Sequence, residues 1–290
     1  MHISKVGILA RPNTDGIEET LGNLIDFLQN RQLDIVCEFN TARLIPDYSL
    51  KTSPDHELGK HVDLVIVVGG DGSMLRAAKS AMKYDTPVIG INKGRLGFLT
   101  DIRPTEIETR LAQVLDGDYW IGERFFLQSH LTHDGNQIDC GLALNDVVLS
   151  PGRTPHMLEF EIFVDDSFMC SHRADGLITA TPTGSTAYAL SGGGPIIQPG
   201  VDALVVLPMF SHALTSRPIV IKGDSKIRIE FSANNETSGQ ISCNGNEVIM
   251  VPPGSTIDIQ KYDKKMKLVH PNDYDYYETL RSKLYWGHKL

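Results

Sequence analysis

Three short stretches of this sequence combine residue types that could do chemistry. The first is Gly69-Gly70-Asp71-Gly72, placed directly after the apolar run His61–Val68 and before a helical pattern over Met74–Met82. Glycines at the carboxyl end of a strand let the backbone approach a phosphate, and a following helix N-terminus adds N–H donors and a positive dipole. A carboxylate among such glycines is a poor phosphate ligand, because like charges repel. Asp71 is better suited to take a proton from an attacking hydroxyl or to hold a metal, unless it simply caps the helix. The second stretch is DGLITATPTGSTAY at 175–188, followed by Ser191-Gly192-Gly193-Gly194-Pro195. Here an apolar strand runs into a loop dense in hydroxyls and glycines, which suits a phosphate-bearing ligand, with Tyr188 available to stack on a base. A polar surface loop is the plain alternative. The third is Asn145-Asp146 inside the apolar run LNDVVL at 144–149. Polar groups there must find partners, either ribose or base groups of a ligand or those of a β-bulge or strand end.

The elements around these stretches divide the chain in two. Lys5–Ala10, Asp34–Phe39, His61–Val68 and Pro87–Ile91 read as strands, and Glu18–Gln29 places Leu21, Leu24, Ile25 and Leu28 on one helical face. Strand and helix alternate, so residues 1–122 are expected to form an α/β domain with a parallel, open, Rossmann-like sheet. From 123 to 270 strand-like runs follow one another between Gly, Pro, Asn and Asp turn signals, which predicts an all-β, sandwich-like domain. The tail 271–290 is helical and aromatic-rich and is expected to pack back on the first domain. Neither G-x-x-x-x-G-K-[ST] nor G-x-G-x-x-G occurs, so a nucleotide would have to be held by another device.

Composition narrows the partners. The 290 residues are 41% hydrophobic and 22% charged, as expected of a folded enzyme-sized chain. A formal net charge of −9 disfavours nucleic acid and anionic membrane as partners. The scattered Cys37, Cys140, Cys170 and Cys243 form no C-x-x-C pair, so neither a zinc site nor a disulfide framework is expected. The opening residues lack the pattern of a secretory leader, and no apolar run is long enough to cross a bilayer. Both point to the cytoplasm.

Taken in order, GGDG at 69–72, GINKGRLGFLTD at 90–101, NDVV at 145–148, DGLITATPTGSTAY at 175–188 and GGGPIIQP at 192–199 resemble the NAD kinase family. HMLEF at 156–160 and SHRADG at 171–176 are similar to its Gram-negative bacterial branch. The resemblance spans nearly the whole chain. It implies ATP-dependent phosphorylation of the 2′-hydroxyl on the adenosine ribose of NAD, giving NADP, with Mg²⁺ or another divalent cation accompanying ATP and no metal ligand assigned on the protein. It makes Asp71 the proton acceptor, puts Gly72 beside the dinucleotide, gives Gly69, Gly70 and Gly72 to phosphates, and makes Arg76 a basic contact. Asn145 and Asp146 match residues that hold adenine or ribose, although many relatives carry Glu where Asp146 stands. His156, Arg173 and Asp175 match further dinucleotide contacts, some reaching across a subunit interface. Thr186, Ala187, Tyr188 and Ser191 match the adenine-side loop, and Asn246 another ligand contact. A homo-oligomer, with a tetramer favoured, is implied as well. Lys93 and Arg95 either attract phosphates or merely solvate their loop. Two competing readings are a diacylglycerol- or sphingoid-type lipid kinase sharing GGDG, and a non-catalytic dinucleotide sensor. The 175–195 loop argues against the first and an intact Asp71 against the second.

Overall fold

The computed structural model of the protein describes residues 2–12, 14–94, 97–152 and 156–286. They fall into two compact units, one built from residues up to Glu123 together with those from Lys265 onward, the other from Arg124–Lys264.

The first unit is an α/β layer structure. Strands β1 (Lys5–Ala10), β2 (Asp34–Glu38), β3 (Lys51–Ser53), β4 (Leu64–Gly69) and β5 (Val88–Asn92) run parallel in the order β3-β2-β1-β4-β5. All six residues of β4 and all five of β5 are buried, as β-rich runs covered on both faces should be. Helix α1 (Ile17–Asn30) turns Leu21, Leu24, Ile25 and Leu28 onto Val6, Ile8, Ile66 and Ile89. The short helix α2 (Phe39–Ala42) begins where a longer β2 was expected, because the Glu38 side chain caps it through the N–H groups of Asn40 and Thr41. The strand expected from His61 starts only at Leu64, since Asp55–His61 winds into a 3₁₀ turn. Helix α3 (Asp71–Lys83) follows β4 after a single residue. Short helical turns over Pro104–Leu111, continued by α4 (Ala112–Leu115), add Ile107, Leu111 and Val114 to the same core.

The second unit is a β-sandwich. One sheet is antiparallel throughout, in the order β13-β12-β11-β8-β15-β16: β8 is Asp146–Pro151, β11 Gly176–Ala180, β12 Ala203–Met209, β13 Ile219–Lys222, β15 Gly239–Cys243 and β16 Asn246–Val251. Against it pack β9 (Leu158–Val164), β10 (Ser167–Ala174), β14 (Ile227–Phe231) and the first residues of β17 (Thr256–Pro271), with the hairpin β6 (Tyr119–His133) and β7 (Asn136–Ala143). Val147, Leu149, Leu177 and Val206 meet Phe160, Ile162, Ile229 and Ile257 between the sheets. The alternate residues Val148, Ile178, Val205 and Leu207 face the other way and are covered by Ala189 and Ile197. Tight hairpin turns sit at Asp134-Gly135, Asp165-Asp166 and Asn244-Gly245, all with positive φ. Two of these are the Asp-Gly and Asn-Gly pairs such turns favour. The third is strained for Asp165, whose carboxylate accepts bonds from Ser225 Oγ and Lys226 N, at 3.0 and 2.9 Å, that offset it. The one-turn helix α5 (Tyr188–Ser191) belongs to this unit.

The chain then returns to the first unit. Leu268 of β17 pairs in parallel with Val88 of β5, and α6 (Tyr276–Leu284) follows. Among the described residues no helix is long and apolar enough to cross a membrane.

Candidate active site

In the first unit the site is built on the turn between β4 and α3. Gly69 ends the strand, and a Cβ there would lie 2.3 Å from Ser73 Oγ, so the close approach of the first helical turn requires glycine. Gly70 and Gly72 differ: a Cβ on either meets nothing within 4 Å, and neither has a positive φ. The fold itself does not require glycine at these two positions, which leaves bare backbone facing open space.

Asp71 is not the helix cap. Gly70 holds that position, and Asp71 is the first helical residue. Its carboxylate reaches across to the segment after β5, where Oδ2 accepts the Phe98 N–H and Oδ1 the Leu99 N–H, each at 3.0 Å. A carboxylate has about four acceptor positions, so these bonds fix it while leaving roughly two open. Gly97 is compelled by the same contact, because a Cβ there would fall 2.1 Å from Asp71 Oδ1. Ser73 Oγ, in the same turn, is buried and has no hydrogen-bond partner among the described residues. Arg76 lies further along α3, with Nη2 3.2 Å from Glu38 Oε2 and Nε 3.7 Å from Asp55 Oδ2. Burial alone would raise the Glu38 pKa, but the N–H of Asn40, the hydroxyl and N–H of Thr41, and the Arg76 charge together hold it below the usual range. Lys93 donates to Thr20 Oγ1 at 3.0 Å. Arg95 lies outside the described residues.

In the second unit Asn145 and Asp146 stand at the entry to β8, a strand end and not a bulge. Two segments clamp them. Thr181 donates its N–H to the Asn145 carbonyl at 2.9 Å and its hydroxyl to the Leu144 carbonyl at 2.5 Å, while Thr181 Oγ1 accepts the Gly184 N–H. From the other side Asn244 Oδ1 accepts the Asn145 N–H at 2.8 Å, and the Asn244 N–H bonds the Asp146 carbonyl at 2.9 Å. Sequence reading missed Thr181 and Asn244 as site-forming residues. The Asn-Gly hairpin pair at 244–245 was the available signal, because it fixes Asn244 at φ 54°. Asn246 sits two residues beyond, exposed, paired in the hairpin with Cys243. The Asp146 side chain is buried, and that burial pushes its carboxyl up to about 6.

The 175–195 stretch is neither plain strand nor loose surface loop. Pro182–Ser185 are buried, Ser185 Oγ ties the turn to the Ile197 N–H at 2.9 Å, and Thr186 Oγ1 bonds the Thr183 carbonyl. Ala187 is half-buried, and Tyr188 and Ser191 are exposed on α5. His156, Arg173 and Asp175 are exposed as well; Arg173 Nε lies 3.8 Å from Glu159 Oε1 on the neighbouring strand. The structure therefore groups the expected residues in two sets. Gly69, Gly70, Asp71 and Gly72 share the β4–α3 turn with Arg76 further along α3, and Asn145, Asp146 and Thr186–Ser191 share the β8–β11 end of the sandwich.

Residues 6–119 match the ATP-NAD kinase N-terminal domain, and residues 144–271 match the ATP-NAD kinase C-terminal domain. The chain belongs to the ATP-NAD kinase family. It is 48% identical over 289 residues to the NAD kinase of Pseudomonas fluorescens (strain SBW25), covering 100% of this chain and 98% of that one. Against the NAD kinase of Pseudomonas syringae pv. syringae (strain B728a) identity is 49% over 285 residues, with 98% and 96% covered. Yeast NADH kinase complexed with NADH superposes with a TM-score of 0.90 at 26% identity, over 100% of this chain and 90% of that one. An NAD kinase from Archaeoglobus fulgidus in complex with ATP shares the fold, with a TM-score of 0.74 at 22% identity over 96% and 99% of the two chains. The N-terminal domain of the ATP-NAD kinase family thus takes in Asp71 with its Phe98 and Leu99 partners. The C-terminal domain takes in Asn145, Asp146 and the clamp around them.

Proposed function

We propose that this chain transfers the γ-phosphate of ATP to the 2′-hydroxyl on the adenosine ribose of NAD, producing NADP and ADP. The observation that carries this reading is the Asp71 carboxylate, fixed by two amides and flanked by glycines that the fold does not require. The ribose oxygen attacks the γ-phosphorus, the bond to the ADP oxygen breaks, and Asp71 takes the hydroxyl proton. Phosphoryl transfer rests mainly on positioning and charge neutralisation. The bare backbone at Gly70 and Gly72, with Gly69 shaping the turn, serves the phosphates, and Arg76 adds a cation beside them. Among the described residues no three His, Cys, Asp or Glu side chains converge as a metal-ligand set. A divalent cation such as Mg²⁺, entering with ATP, would supply charge neutralisation on the transferring phosphate.

On the second unit Asn145 and Asp146 receive ribose and base groups, Thr186, Ala187, Tyr188 and Ser191 the adenine side, and His156, Arg173, Asp175 and Asn246 further parts of the dinucleotide. The phosphoryl-transfer machinery belongs to residues 1–122 with the tail 271–290, and dinucleotide recognition to 123–270. A homo-oligomer, most simply a tetramer, working in the cytoplasm completes the reading. With labelled ATP, label is expected in a dinucleotide product when NAD is offered and not when a panel of lipids is offered. Labelled lipid, or no transfer at all, would overturn it.

Asp146 gives the reading a pH signature. Its ionised form is the better acceptor for a ribose hydroxyl, so dinucleotide binding should favour release of its proton. Affinity for NAD measured by calorimetry is then expected to strengthen between pH 5 and pH 7 and level off above, and Asp146→Asn should flatten that rise. The stability term has the opposite sign. A carboxyl raised in the folded state contributes stability that is full below the unfolded value and is lost as pH climbs through about 6.

A further inference from the structure

The Asp71 carboxylate is only as well placed as the two amides that hold it. Those amides lie in the segment 97–101, which is pressed onto β5: a Cβ on Gly90 would meet Thr100 Cγ2 at 2.6 Å and the Leu99 carbonyl at 2.8 Å. Asn92 Nδ2 donates to Thr100 Oγ1 at 3.0 Å, and the Asp101 N–H bonds the Gly90 carbonyl. The side chain of Asp101 then leads to a residue with no part in the chemistry described so far. His270 Nδ1 donates to Asp101 Oδ2 at 2.5 Å, and the imidazole is 0% exposed. Its ring packs against Trp120, with centroids 4.4 Å apart, and against Tyr274, at 4.2 Å, and those two rings lie 5.9 Å from each other, so the three form a closed aromatic cluster. The same returning segment holds residue 101 a second way, because Arg110 donates to the Asp101 carbonyl at 2.7 Å and to Asp273 Oδ1 at 2.6 Å. It also reaches Phe98 directly, with Lys283 Nζ 5.8 Å from the ring centroid.

A buried His–Asp pair is a costly way to fill a core, since well-packed apolar residues stabilise as well or better. What the pair adds is a single fixed geometry at residue 101, three positions from Phe98. We infer that His270 is a positioning residue for phosphoryl transfer: through Asp101 it holds the 97–101 segment so that the Phe98 and Leu99 amides orient the Asp71 carboxylate. This rests on the assignment of Asp71 as the base. His270 touches no substrate in this scheme and acts only through the segment.

Turnover of four folded variants tests it. His270→Phe keeps an aromatic ring against Trp120 and Tyr274 but removes the donor to Asp101. It is expected to lower kcat about tenfold, with KM for ATP and NAD within about twofold of the parent, because a misaimed base costs rate and not binding. His270→Asn, whose Nδ2 can take the place of Nδ1, should recover most of that loss. In the Asp71→Asn background His270→Phe should change kcat by less than about twofold, because the group it positions is already gone. Wild-type kcat in His270→Phe would overturn the proposal, as would the same tenfold fall in the Asp71→Asn background or a failure of His270→Asn to rescue. Should His270→Phe not fold, His270→Leu leaves Asp101 without its donor and is expected to show the same fall; normal turnover there overturns the proposal equally. Near-normal kcat in Asp71→Asn alone would remove the base assignment itself, a result read separately from every His270 arm.

Discussion

Asp71→Asn is expected to lower kcat by a factor on the order of 10² or more, with kcat/KM falling in step and affinity for NAD little changed. The substitution keeps the shape and removes both the charge and the proton acceptor. It also has a structural cost that the geometry makes explicit. An amide offers one oxygen where the carboxylate offers two, so only one of the Phe98 and Leu99 N–H bonds can survive. A lost hydrogen bond to a charged group costs about 1.5–3 kcal/mol, and the missing negative charge in the first turn of α3 about 0.3–1 kcal/mol more. The variant should therefore melt earlier and also turn over slowly. The two effects separate when kcat is measured per folded molecule well below the melting transition. Normal turnover under that condition would make Asp71 a fastener of the 97–99 segment and nothing else.

Gly184→Ala should be the most damaging small substitution in the second unit. A methyl group there would lie 2.0 Å from the Asn145 carbonyl oxygen and 2.4 Å from its carbon, and neither is the end of a flexible side chain. Backbone must move, at a cost of about 3 kcal/mol. The movement falls on the residue that Thr181 and Asn244 hold in place, so NAD affinity should drop at least about tenfold along with the stability. Chemical denaturation together with a binding titration checks both. A stable Gly184→Ala protein with unchanged NAD affinity would show that the Asn145–Asp146 entry is not part of the dinucleotide site.

Much of this arrangement could be read from the sequence, and the exceptions share a cause. Lys5–Ala10 needed no correction, because a buried parallel strand is a continuous apolar run and nothing else in that window competes. The β4–α3 turn was legible for the same reason, with glycines punctuating the end of an apolar run. The partners of Asp71 were not, since Phe98 and Leu99 lie 27 and 28 residues away and contribute backbone N–H groups that carry no side-chain signature. Asn246 came from the family resemblance alone, and Asn244 was not singled out, because only the turn geometry reveals that its side chain meets the Asn145 N–H. Residues 104–115 gave too short a helical period to register, being split among 3₁₀, π and α turns.

The return of the chain to its first unit also sets an order of events during synthesis. The edge of β5 that pairs with Leu268, and the Asp101 carboxylate that waits for His270, are translated long before their partners. Residues 124–264 must emerge in between. At typical ribosomal speeds that leaves an open, apolar sheet edge for roughly 10 s, the kind of surface that invites pairing with other nascent chains. A chain arrested before residue 265 would carry the Gly-Gly-Asp-Gly turn and the whole sandwich, yet it would lack the last strand of its first sheet and the His270 side chain that bonds Asp101. The N-terminal unit of this protein therefore completes its sheet only after the second unit has been synthesised.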